Sequence, residues 1–207
     1  MFTTIINELR KRTSSNTVFN PYQNEKVANN LQLYFEYLYK NNQNNILFIG
    51  EAPGYKGCRI TGIPFTSGEL FTNSEIKIFK DLKDEIFLEK IESENTATII
   101  WNYLKNKDNL PIFWNSFPYH PFNIDNPKSN RAPNNEEIEE GKFYIEELVK
   151  IFNPKIIASI GRKGEKILKD MYPNNNIKYI RHPSYGGKTD FIKGMDEIYN
   201  KALERNI

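Results

Sequence analysis

Ile46-Leu47-Phe48-Ile49-Gly50-Glu51-Ala52-Pro53-Gly54 is an apolar run that closes on a glycine, a carboxylate and an Ala-Pro-Gly turn. A polar connector, Asn41-Asn42-Gln43-Asn44-Asn45, precedes it, so residues 46–49 read as a short strand buried on both faces. The pattern returns at Pro111-Ile112-Phe113-Trp114-Asn115-Ser116, at Lys155-Ile156-Ile157-Ala158-Ser159-Ile160 before Gly161, and at Ile177–Arg181. Between these runs the spacing predicts helices. Residues 23–40 carry Val27, Leu31, Leu33, Tyr34, Tyr37 and Leu38 at helical intervals, and Ser74–Lys90 follows with Ser74 as its N-cap. Asn135–Phe152 has acids in its first turn and is stopped by Asn153-Pro154; Arg162–Met171 and Asp190–Glu204 complete the set. Strands alternating with helices predict a three-layer α/β/α fold with a central, mostly parallel four-stranded sheet. With no repeat or linker in 207 residues, a single domain is expected, on which residues 1–44 pack as a helical segment.

Composition narrows the function. Hydrophobic residues make up 39% and charged residues 26%, as in globular proteins. No apolar run approaches the roughly 20 residues that cross a bilayer. Met1–Arg12 is amphipathic and lacks a signal-peptide core, so a cytoplasmic location is expected. The lone cysteine, Cys58, excludes an intrachain disulfide and a four-cysteine metal or iron–sulfur site, so no cofactor and no metal are expected. Net charge is only +2, but it is unevenly spread. Residues 155–193 hold nine Lys or Arg against three acids, a local +6, while 136–147 is acidic. A polyanion across one face fits this asymmetry, as do solvated helix faces.

Open α/β sheets bind ligands at the carboxyl ends of their strands. Glu51 stands at such an end, and so does Asn115. After the last strand comes Arg181-His182-Pro183-Ser184-Tyr185-Gly186-Gly187-Lys188, with one of the two histidines. The other, His120, reads equally as structural or as site-lining. Gly161-Arg162-Lys163-Gly164 opens a helix but lacks both Gly-x-Gly-x-x-Gly and a Gly-Lys-Ser/Thr ending, which argues against dinucleotide and nucleotide-phosphate loops.

Taken in order, Gly50–Gly54, Thr61-Gly62-Ile63-Pro64-Phe65, the strand end at Asn115 and His182-Pro183-Ser184 resemble the uracil-DNA glycosylase superfamily from about residue 44 onward. Gly-Glu-Ala-Pro-Gly is similar to the water-activating motif of its iron–sulfur branch. The resemblance implies that Glu51 and His182 are catalytic. Glu51 would orient water, and a neutral His182 would stabilise the departing base. It implies substrate binding by Gly50, Ala52, Pro53, Gly54, Phe65 and Asn115, with Phe65 stacked on an extruded base and Asn115 reading its edge. It implies DNA contact by Ser184, Tyr185, Gly186, Gly187, Lys188 and Arg162, with Tyr185 in place of the usual aliphatic wedge. Ala52 occupies a position that is Asp or Asn in other branches. Two departures from the iron–sulfur branch stand out: one cysteine cannot hold a cluster, and Tyr55-Lys56-Gly57-Cys58 follows the motif where that branch continues with acidic residues. The expectation is therefore a monomeric, metal-free, monofunctional glycosylase excising uracil from single- or double-stranded DNA. The alternatives are a glycosylase for hypoxanthine or xanthine, a catalytically silent DNA-binding relative and, more distantly, a small-molecule nucleotide hydrolase.

Overall fold

The computed structural model describes residues 1–43 and 45–204; Asn44, in the Asn-rich connector, and residues 205–207 lie outside them. The elements run α1 (Thr3–Lys11), β1 (Val18–Phe19), α2 (Glu25–Lys40), β2 (Ile46–Gly50), α3 (Cys58–Thr61), α4 (Gly68–Asn73), α5 (Lys77–Leu82) and α6 (Asn95–Leu104). They continue as β3 (Ile112–Asn115), β4 (His120–Pro121), α7 (Asn135–Phe152), β5 (Ile156–Ile160), α8 (Arg162–Met171), β6 (Lys178–Ile180) and α9 (Lys188–Glu204).

Four strands form a parallel sheet in the order β3-β2-β5-β6. β2 and β3 are buried along their whole length, which is why their sequences are unbroken apolar runs. The chain leaves β2 towards β3 and later returns to its other side as β5. The loops after β2 and β5 therefore diverge, and a crevice opens at this switch point. Gly50 lies beside Asn115 and Ile49 beside Ser159, so the Glu51 turn, Asn115, Gly161 and the segment after β6 share one edge.

Successive residues of β3 face opposite layers. Trp114 meets Phe35 of α2 and Tyr144 of α7. Phe113 meets Phe48, Phe65 and Trp101 of α6, and Trp101 in turn packs on Phe79 of α5. Burying a ring of this size contributes about 3 kcal/mol. One hydrophobic cluster runs from Phe2 to Tyr199, with Ile5 and Leu9 of α1 fully inside it. The first 40 residues are thus core material. They also supply β1, which pairs antiparallel with β4.

Most element boundaries match the sequence pattern. Asn24 caps α2 by accepting from the Lys26 amide, and Asn134 with Glu137 forms a reciprocal capping box on α7. The helix expected over Ser74–Lys90 is a correction. Ser74 ends α4 rather than starting a helix, and its hydroxyl accepts from the Ile76 amide, turning the chain into the short α5. Beyond Leu82 the chain cannot stay helical, because the amide and carbonyl of Phe87 are both held by the Asn30 side chain at 2.8 and 2.7 Å. The last helix begins at Lys188, two residues earlier than its pattern, which puts Lys188 on the helix rather than in the preceding loop. The ribbon β1–β4 and the helix α6 are not visible in the apolar spacing.

Candidate active site

The Glu51 turn is laced to the segment that follows β3. The Ser116 amide and hydroxyl both donate to the Gly50 carbonyl, at 2.9 and 2.7 Å, and the Phe117 amide donates to Glu51 O at 3.1 Å. His120 Nδ1 lies 2.8 Å from Pro53 O, and the Tyr55 amide donates to Asn130 Oδ1 at 2.9 Å. Glu51 is thereby held half-buried at the end of β2. Burial raises its carboxyl above the ordinary 4.5, with Lys163 opposing the shift.

Phe65 lies across the end of β2 in a left-handed backbone conformation, φ +55°. Such a conformation costs an L-residue about 1–2 kcal/mol. The loop enforces it. The Thr61 and Thr66 hydroxyls are 2.9 Å apart, Thr66 donates to Ile63 O, and Trp101 Nε1 donates to Phe65 O at 2.9 Å. The ring fits only because residue 50 has no side chain: a Cβ there would stand 2.4 Å from Phe65 Cζ and 2.8 Å from Asn115 Oδ1. Asn115 is 3% exposed, yet its amide bonds no other described residue. An uncommitted, nearly buried amide beside an aromatic face is a ready reader for a planar, polar ligand.

His182 follows β6. The Ser184 amide donates to Nδ1 at 3.2 Å and the Ser184 hydroxyl sits 2.7 Å from the same atom, which fixes the neutral ring with its proton on Nε2. Burial and the neighbouring Arg181 hold its pKa below the ordinary 6.5. The chain then turns through Tyr185 and Gly186, both at positive φ, closed by the Gly187 amide donating to Ser184 O. Tyr185 stands at the tip, 98% exposed. Arg162, at the start of α8, lies 3.9 Å over the Tyr179 ring and pairs with Glu165.

These groups surround one cleft of about 540 Å³. Of the residues singled out in the sequence, Glu51, Ala52, Pro53, Gly54, Phe65, Asn115, Arg162, His182, Ser184 and Tyr185 line it. Gly50 lies directly under the Phe65 ring, while Gly186, Gly187 and Lys188 stand outside the lining. The cleft also takes in residues without a sequence signal of their own: Glu94 and Thr96 at the start of α6, and Asn130 and Arg131 from the loop before α7. Arg131 is fixed there by a two-pronged pair with Glu137 at 2.6 and 2.7 Å. Cys58 lines the cleft too, but burial pushes its thiol up to about 12, so it is no nucleophile.

The family model of the uracil DNA glycosylase superfamily matches residues 37–203. The chain belongs to that superfamily. The superfamily is one of DNA glycosylases, hydrolases of N-glycosyl bonds. Its match begins inside α2 and takes in the whole parallel sheet and the cleft. Among solved structures the chain is similar to the crystal structure of wild-type SMUG2 from Pedobacter heparinus, with a TM-score of 0.67 and 18% identity over 98% of this chain and 97% of that one. At that identity the likeness is one of fold. No curated protein sequence matches the chain. The iron–sulfur cluster of one glycosylase branch does not fit this chain: Cys58 is its single cysteine, and no group of His, Cys, Asp or Glu with metal-site geometry occurs among the described residues. No helix among the described residues is long and apolar enough to cross a membrane.

Proposed function

We propose that the protein is a monofunctional DNA glycosylase that hydrolyses the N-glycosidic bond of uracil in DNA. The observation that carries this reading is the convergence of Glu51, Phe65, Asn115 and His182 on one cleft at the switch point. Phe65 offers a flat face to a base rotated out of the stack, replacing the stacking it has lost. Asn115 accepts from N3–H and donates to O4. As the bond from N1 to the sugar breaks, its electron pair moves onto the uracil ring, and charge gathers on O2. Nε2–H of His182 donates to that oxygen, and a neutral donor whose tautomer is already fixed needs no rearrangement. Glu51, in its carboxylate form, takes the proton of the water that attacks C1′; burial raises its pKa, which makes it a better base for that proton. Ala52 offers no polar group, and Asn130, which lines the same cleft beside the Glu51 turn, is a second polar group able to orient that water.

The same reading assigns the rim to DNA. Tyr185 is the side chain that fills the space of the extruded base, Arg162 and Lys188 meet phosphates, and Ser184 sets the His182 tautomer. Residues 1–207 act as one domain and as a monomer. A second reading has its own support. Hypoxanthine presents the same N–H and carbonyl pair to Asn115 as uracil does, and no hydrogen bond from another described residue ties that nearly buried amide to one orientation.

The test is base release from oligonucleotides carrying one uracil or one inosine, single- and double-stranded, with EDTA present and alkaline scission at the abasic site. Wild type releases uracil, and Glu51→Gln, Asn115→Ala and His182→Ala each lower the rate by about 10²–10³-fold. Faster release of hypoxanthine selects the second reading. Tight DNA binding without release of either base overturns both.

A further inference from the structure

The second histidine has no part in that chemistry, yet it is built into the turn that carries Glu51. His120 is fully buried on β4, with its backbone pinned beside Phe19 of β1. Its ring stacks on Phe122 at 5.8 Å and meets Tyr55 at 6.1 Å. Nδ1 lies 2.8 Å from the carbonyl of Pro53, and among the described residues no other donor reaches that oxygen. Gly50 O, by comparison, has two donors, both from Ser116. The remaining nitrogen, Nε2, is buried and makes no hydrogen bond of good geometry among the described residues, although the Pro127 carbonyl also acts on the ring. An orphaned buried acceptor of this kind is destabilising, a cost that a phenylalanine filling the same space would not incur. The imidazole is thus not explained by packing; what it does that a phenyl ring cannot is donate to Pro53.

We propose that His120 is a positioning residue for the glycosylase chemistry: its Nδ1–H, given to the Pro53 carbonyl, fixes the Glu51-Ala52-Pro53 turn and so the place from which the Glu51 carboxylate meets the water. Burial, aided by Arg59 and Arg131, keeps the ring neutral against the pull of the Pro53 and Pro127 carbonyls, so the Nδ1–H tautomer is the working form. Tyr55, which packs on the ring, also donates its amide to Asn130 Oδ1. One side chain therefore steadies both flanks of the water-facing wall.

The inference rests on the glycosylase reading, and its test separates the two. Three full-length variants are compared: His120→Phe keeps the ring and loses the donor, His120→Asn places an amide N–H where Nδ1 stood, and His120→Gln places it one bond too far. Single-turnover release from saturating uracil-containing duplex is measured beside DNA affinity. The Glu51 carboxyl is titrated by NMR of ¹³C-glutamate protein, its resonance assigned with Glu51→Gln. His120→Phe and His120→Gln are expected to lower the release rate about 10–100-fold with affinity unchanged, and to bring the Glu51 titration down towards 4.5. His120→Asn is expected to restore most of both. Melting curves establish that each variant is folded at the assay temperature; if His120→Phe is not, the Asn and Gln variants alone decide. Equal losses in Asn and Gln, losses that follow affinity, or an unmoved Glu51 titration overturn the proposal. A wild type that releases no base sinks the glycosylase reading instead, while the titration still reports whether His120 holds the turn.

Discussion

At position 50 the chain has no room for a side chain. Gly50→Ala puts a methyl into the space of the Phe65 ring and the Asn115 amide, and backbone on a buried strand cannot give way. Base release is expected to fall at least about 10-fold, with the far-UV spectrum unchanged; an active Gly50→Ala would show that Phe65 need not lie across the strand. Glu51 carries an energetic signature as well. Its folded pKa is raised, so its contribution to stability is lost as pH rises through 4.5 to the folded value. Glu51→Gln should therefore melt at a higher temperature than wild type at neutral pH, and the gain should vanish below pH 4.5. The two histidines act in the opposite sense. Both have depressed folded pKa values, so unfolding takes up protons and stability is lost as pH falls through 6.5. Denaturant midpoints measured across that window check the sign, and a flat profile would mean that neither ring is held neutral by the fold.

Among the elements, legibility follows the range of the interactions that define each one. β2, β5, α7 and α8 are bounded by Gly, Pro and Asn close in sequence, so their limits can be read from the chain. Residues 83–90 cannot be read this way, since the side chain that straightens them, Asn30, is 57 positions from Phe87. α6 hides behind Thr96, Thr98, Ile99 and Ile100, β-branched residues with weak helix preference that tertiary packing overrides. The site divides along the same line. Glu51, Phe65, Asn115 and His182 sit in local patterns, whereas Asn130 and Arg131 acquire their place partly through bonds to residues far along the chain, Tyr55 and Thr17. One helix contact reaches the site directly. A Cβ on Gly141 of α7 would stand 1.7 Å from the Ser116 carbonyl, and Ser116 holds Gly50. Gly141→Ala should destabilise the fold by about 1–3 kcal/mol in denaturant titrations and lower base release at a temperature where it remains folded. Loss of stability with undiminished release would uncouple α7 from the site.

For the whole molecule the decisive quantity is the field around the cleft mouth. Arg162 is exposed, and although Glu165 pairs with it, phosphate can displace that surface contact at little cost. Arg162→Ala should weaken binding to any DNA sequence alike and reduce the slope of log affinity against log salt by about one; an unchanged slope would remove Arg162 from the DNA face. The strand order has a further consequence, in time rather than in space. β2 lies at the middle of the sheet, but the strand that covers its second edge is β5, more than a hundred residues later in the chain. During synthesis at roughly 5–20 residues per second, this fully buried strand waits about 5–20 s before its second edge can be covered. A nascent chain of this topology is most in need of a chaperone in that interval, when the half of the sheet carrying the Glu51 turn exists and the half carrying His182 does not.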